Sequence, residues 1–126
     1  MSRQEVRTDD APKPRGAYSQ GIVAGGFLYT AGLGPHDPTT QEAVGETIED
    51  QTAQVMRNLQ AVLVVRGLGW GDVVKTTVHL SDLGQFAGFN RVYESFLEEP
   101  YPVRTTVGST LANILVEIDL VAALRE

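Results

Sequence analysis

Two apolar segments near the C-terminal end, Val103-Arg104-Thr105-Thr106-Val107 and Ile114-Leu115-Val116-Glu117-Ile118-Asp119-Leu120-Val121, restrict what this chain can fold into. Strand side chains alternate between faces, so Val103, Thr105 and Val107 share one side of the first segment, and Arg104 shares the other with Thr106 and Gly108. In the second segment Ile114, Val116, Ile118 and Leu120 make a strongly apolar face, with Glu117 and Asp119 opposite among Leu115 and Val121. A charge inside so hydrophobic a strand is costly unless it is paired, solvated or used. The chain must build a sheet with one well-covered face, and the charges need a reason.

The rest of the sequence supplies the cover. Residues 2 to 8 alternate weakly, as an edge strand does, and Asp9 to Gly16 is a Pro-rich turn segment. Gly21 to Ala24 and Phe27 to Leu33 read as two short strands joined at Gly25-Gly26, a hairpin signal. Gly34-Pro35-His36-Asp37-Pro38 then opens a loop that runs to Gly45. From Thr47 to Arg66 the period becomes helical, with Ile48, Thr52, Val55, Met56, Leu59, Val62 and Leu63 on one stripe, Thr47 as N-cap and Gly67 as stop. Alternation returns over Val73 to Leu80, with Val74, Thr76, Val78 and Leu80 on one side and Val73, Lys75, Thr77 and His79 on the other. A second helix follows, with Asp82 and Gln85 spaced as a capping box and Phe86, Phe89, Asn90, Tyr93, Phe96 and Leu97 on one face, ended by Pro100 and Pro102.

The order β-β-β-α-β-α-β-β predicts an α+β fold, a six-stranded sheet with two helices packed on one face, and a single domain over 1–126. The other face is expected to carry Arg104, Thr106, Glu117, Thr77 and His79 among apolar neighbours. That mixture is too polar for a core and too apolar for a free surface, which predicts packing against further copies of the chain.

Composition excludes several functions. Ten basic against sixteen acidic residues give a net charge of −6, and no run of Lys and Arg offers a basic patch, which opposes binding to nucleic acid or an anionic membrane. With no cysteine there is no thiol nucleophile and no thiolate metal site. The polar N-terminus and the lack of a long apolar run predict a cytoplasmic protein without a membrane span. His36 lies in what reads as an exposed loop and His79 shares its strand face with Lys75, so no metal-ligand set is expected. Trp70 reads as a loop aromatic covering a core edge.

Several separated motifs together carry a resemblance. They are Ala11-Pro12 with Gly16-Ala17-Tyr18-Ser19-Gln20, Tyr29-Thr30-Ala31-Gly32, Asp50-Gln51-Thr52 with Asn58-Leu59, Val73-Val74-Lys75-Thr76-Thr77-Val78, Phe89-Asn90 with Tyr93 and Phe96, Pro102-Val103-Arg104, and Val116-Glu117-Ile118. In this order and spacing the chain resembles the YjgF/Rid family, the RidA-like reactive-intermediate (enamine/imine) deaminases. The resemblance implies a chorismate-mutase-like subunit, a homotrimer with sites between subunits, and hydrolysis of 2-imino acids to 2-keto acids and ammonia without cofactor or metal.

By the same resemblance Arg104 holds the substrate carboxylate, a role a planar guanidinium suits because it makes two parallel bonds to it. Its structural alternative is an ion pair with Glu117 or with a neighbouring subunit. Glu117 matches the acid that polarises the attacking water, and one carboxylate can serve both water addition and ammonia departure. Tyr18 points its phenol into the cleft in relatives. Asn90 interrupts an apolar helix stripe and must find partners, either substrate or a loop backbone. Gly32 and Ala31 lie where backbone approaches the ligand, and the Thr106 backbone offers a carbonyl to the imine nitrogen. Ala31 stands where many members have Ser, Leu33 where many have Gln, and Leu111-Ala112-Asn113 where many have Leu-Pro-Lys, which predicts a more apolar pocket and a larger or more hydrophobic imino acid. Two alternatives remain: a trimer that binds 2-keto acids without turning them over, and, because some relatives are described so, a ribonuclease or translation inhibitor.

Overall fold

The computed structural model describes residues 2–125, and its elements follow the expected order. Strands β1 (Gln4–Val6), β2 (Gly21–Ala24) and β3 (Phe27–Thr30) precede helix α1 (Ile48–Val65). Strand β4 (Val73–Leu80), helix α2 (Phe86–Ser95) and strands β5 (Val103–Gly108) and β6 (Val116–Ala123) complete the chain. The six strands form one mixed sheet in the order β1-β2-β3-β6-β4-β5. Strands β4 and β5 run parallel, because α2 returns the chain along one face between them.

Local chemistry sets the boundaries. Gly25 and Gly26 take φ of 61° and 88°, the two positive values a tight β2–β3 hairpin needs. The Thr47 hydroxyl accepts the Asp50 N–H at 3.1 Å and starts α1, and Gly67 at φ 69° stops it. The α1 stripe Val55, Met56, Leu59, Val62 and Leu63 is fully buried against Leu28, Val78, Leu80, Val116 and Ile118. Each such side chain contributes roughly 1.5–3 kcal/mol by leaving water. Both helices lie on this face.

Three buried amides tie the loops down. Gln20 donates to the carbonyls of Thr8, Ala11 and Pro12, Asn58 to those of Gly34 and His36, and Gln51 joins Gly45 to Leu115. Buried carbonyls left without donors would cost stability, so these amides both satisfy and position the segments beside the sheet.

Four expectations need correction. Strand β3 ends at Thr30, whose hydroxyl accepts the Leu120 N–H; the chain rejoins the sheet in a single bridge from Leu33 to Ile118. Asp82 caps a separate 3₁₀ turn (Leu83–Gln85) by accepting the Gly84 N–H, and α2 begins at Phe86 without a capping box. A register shift between Val73 and Lys75 turns Val74 outward. Most consequential, Arg104 is paired with Thr76 and Thr106 with Val78, both fully buried under the helices. Cross-strand partners share a face, so Arg104 and Thr106 project to the helix side and not to the open face.

The open face carries Glu117, Asp119 and Val121 of β6, Lys75, Thr77 and His79 of β4, and Val103, Thr105 and Val107 of β5. Phe27 and Tyr29 of β3 continue it, and Val103 is 65% exposed there. Trp70 lies in a 3₁₀ turn (Trp70–Asp72), half-buried at the core edge and edge-on to Phe96.

Candidate functional site

Two clefts divide Arg104, Asn90, Glu117, Tyr18 and Gly32 between them, while Ala31 and Thr106 line neither. The first, about 340 Å³, lies where α2 meets the start of β5 and is lined by Asn90, Tyr93, Glu94, Tyr101, Pro102 and Arg104. Arg104 sits on the sheet's edge strand, where it is exposed and its guanidinium lies over the rings of α2. Its Nη1 donates to Asn90 Oδ1 at 2.7 Å, and its Cζ lies 5.0 Å from the Tyr93 ring centre, 5.2 Å from Phe86 and 5.8 Å from Phe89. Each ring face attracts the cation by about 0.5–2 kcal/mol, according to how dry it is. Tyr93 is itself locked by a 2.8 Å hydrogen bond to Thr76, and burial pushes its phenol above the ordinary value, against the opposing pull of that bond and of Arg104. It remains a neutral wall.

Asn90 thus finds its partner in Arg104 rather than in a loop backbone. The ion pairs among the described residues are Arg91–Glu49 and Arg125–Asp72, so Arg104 has no carboxylate partner there. The guanidinium is oriented on one edge and one face while its remaining donors stay available.

The second cleft, about 110 Å³, holds Glu117 together with Tyr18, Gly32, Lys13, Arg15 and His36. A Cβ on Gly32 would lie 2.7 Å from Glu117 Oε2, so glycine is what lets the carboxylate rest against the backbone. Tyr18 is half exposed, and its hydroxyl accepts the Arg15 N–H at 3.2 Å. His36 is half-buried, not exposed as its loop suggested; burial first, and the charge of Arg15 second, hold its pKa below the usual value. Leu33 touches this cleft but belongs to the core, being 5% exposed. The expected apolar lining therefore does not arise from it, and two cations line the cleft instead.

Within one chain the sheet separates Arg104 and Asn90 from Glu117, Tyr18 and Gly32. Ala31 packs on the core beside the second cleft, and Thr106 lies on the Arg104 face with its hydroxyl buried and without a partner among the described residues. Among the described residues no group of three His, Asp or Glu could hold a metal ion, and no helix is long and apolar enough to cross a membrane. Sequence reasoning passed over Lys13, Arg15 and His36, whose approach to Glu117 depends on loop ties. It also passed over Tyr101, though its position between Pro100 and Pro102 was a signal for an exposed, stiff wall.

Fold and clefts together define a small α+β domain with an aromatic-backed arginine on one side and a carboxylate resting against a glycine backbone on the other. The chain belongs to the family described as Endoribonuclease L-PSP, which matches residues 8–124 and also takes in the YjgF, RutC and Rid proteins. A RutC family protein of Pyrococcus horikoshii is 43% identical over 122 residues, 95% of this chain and 97% of that protein. Reactive Intermediate Deaminase A, chloroplastic, of Arabidopsis thaliana is 36% identical over 98% of this chain and 67% of its own length. The crystal structure of E. coli TdcF with bound serine superposes at a TM-score of 0.90, with 33% identity over 97% of this chain and 99% of that one.

Proposed function

We propose that this protein is a 2-imino acid deaminase that works as a homotrimer, with each site built across two copies. Arg104 of one copy, steadied by Asn90 and the α2 aromatics, takes the substrate carboxylate. The neighbouring copy's open face brings Glu117, Tyr18 and the Ala31-Gly32 backbone to the imine carbon. Glu117 accepts a proton as water adds to the protonated C=N bond, then returns it to the amino group. The tetrahedral intermediate collapses to a 2-keto acid and ammonium, with Tyr18 and the Thr106 carbonyl orienting the nitrogen.

The observation that carries the reading is Arg104: a guanidinium held on one edge by Asn90 and on one face by the α2 rings, lining a cleft, with no carboxylate partner among the described residues. Further support comes from the Arabidopsis relative named as a deaminase and from the serine bound to TdcF, a small amino acid carboxylate. The net charge of −6 opposes an RNA substrate.

The test uses imino acids generated in situ by an amino-acid oxidase. Wild-type protein is expected to speed keto-acid release, and Arg104→Ala to lose at least about 100-fold in kcat/KM, the worth of a charge-assisted bidentate contact. Equal rates for the two proteins across short, branched and aromatic substrates would overturn the reading. Calorimetric binding of 2-keto acids without turnover would favour a sensor instead.

A further inference from the structure

Resting on that reading, we infer that the Glu117 cleft contains a second anion subsite, formed by Lys13 and Arg15 with His36, so that the preferred substrates are 2-imino acids bearing a second acidic group on the side chain.

The segment that carries the two cations is held in place at several points. Gln20 donates to the Pro12 carbonyl at 2.8 Å, the Lys13 N–H donates to Gln41 Oε1 at 3.1 Å, and Gln41 Nε2 returns a bond to the Lys13 carbonyl at 3.2 Å. Arg15 Nη2 donates to the Gln41 carbonyl. Gln41 adopts φ 65°, a conformation a non-glycine residue rarely takes, and in it both its side chain and its carbonyl face this segment. The backbone of this segment and the Arg15 guanidinium are therefore placed before any ligand arrives, which removes part of the cost of organising the subsite.

Neither Lys13 nor Arg15 forms an ion pair with a carboxylate among the described residues, and Glu117 is the one acid lining the cleft. Two cations against one carboxylate leave an excess of positive charge. Arg15 lies close enough to His36 to help hold its pKa down, so His36 presents a neutral ring that can donate one hydrogen bond without adding charge. The substrate's own α-carboxylate is taken by Arg104 on the other half of the site, so the excess here fits a further carboxylate. At about 110 Å³ the cleft suits a short acid rather than a large apolar chain. This replaces the sequence expectation of a bulkier, more hydrophobic substrate.

The experiment compares substrates of equal chain length, 2-iminoglutarate and 2-iminopentanoate, and in parallel measures calorimetric binding of their unreactive counterparts, 2-oxoglutarate and 2-oxopentanoate. Wild type is expected to favour the diacid by about 10-fold or more in kcat/KM and in affinity, the worth of one semi-exposed charge contact. Lys13→Ala, which removes a side chain while leaving its backbone ties, is expected to cut the ratio several-fold, and Lys13→Ala/Arg15→Ala to bring it to one or below, because Glu117 then repels the diacid unopposed. A wild-type ratio at or below one, or a ratio unchanged in a folded double variant, would overturn the subsite. If neither substrate is turned over, the deaminase reading fails, whereas a binding preference for the diacid that vanishes in the double variant still supports the subsite.

Discussion

At the scale of single residues, the two charges that looked alike in sequence are held in opposite ways. Arg104 is oriented by direct contacts, with an amide on its edge and three rings around its face, so its geometry is built into α2. Glu117 is oriented by an absence, the missing side chain of Gly32. Gly32→Ala would place a methyl group 2.7 Å from Glu117 Oε2, and because that atom is the free end of a flexible side chain, the carboxylate moves rather than the backbone. We expect thermal unfolding within about 1 kcal/mol of wild type and imine turnover down about 10- to 100-fold. Wild-type turnover in the variant would show that the Glu117 position is not important.

At the scale of elements, alternation and helical period were sufficient to place the six strands and two helices in order. The reading is firmest for α1, β4 and β6, which each bury one face, whereas the edge strand β5 buries none of its residues. Strand β4 and the Thr47 and Gly67 ends of α1 fall where the sequence predicted. The misreadings arose where a polar side chain, not a hydrophobic pattern, decides the outcome. Thr30 ends β3 by bonding back to Leu120, and Asp82 caps a 3₁₀ turn just ahead of α2. Gly67 gives a clean test of the cap. No atom lies within 4 Å of a Cβ built there, so Gly67→Ala is penalised only by its φ of 69°. A loss of about 1 kcal/mol in chemical denaturation is expected; no loss would mean the turn can relax to a negative φ.

At the scale of the whole molecule, the site was legible as residues but not as an arrangement. Alternation within β5 puts Arg104 opposite Val103, but only the register with β4 says which side the helices cover, and that register is not written in either strand alone. Lys13 and Arg15 were hidden for a similar reason, since Gln20 and Gln41 bring their loop to the sheet from a distance in sequence. The open face adds its own pH dependence. Burial raises the Asp119 carboxyl above its ordinary value, against the opposing influence of His79, Lys75 and Thr77. A carboxyl raised on folding favours the folded state when protonated, and that contribution is lost as pH rises through its folded pKa. Asp119→Asn is therefore expected to raise Tm at neutral pH, with the gain fading as pH falls through the raised folded pKa and gone once pH is below the ordinary carboxyl value. An unchanged or lowered Tm at pH 7 would count against burial as the dominant influence.

The central claim is that Arg104 and Glu117, which the sheet separates within a chain, meet between chains. It is tested most directly by unfolding Arg104→Ala and Glu117→Gln variants together, refolding them as a 1:1 mixture, and measuring imine hydrolysis. If each site takes its arginine from one copy and its glutamate from the next, random co-assembly restores about one quarter of wild-type activity, although each variant alone is nearly inactive. A mixture no more active than the separate variants, in particles shown to contain both, would contradict it.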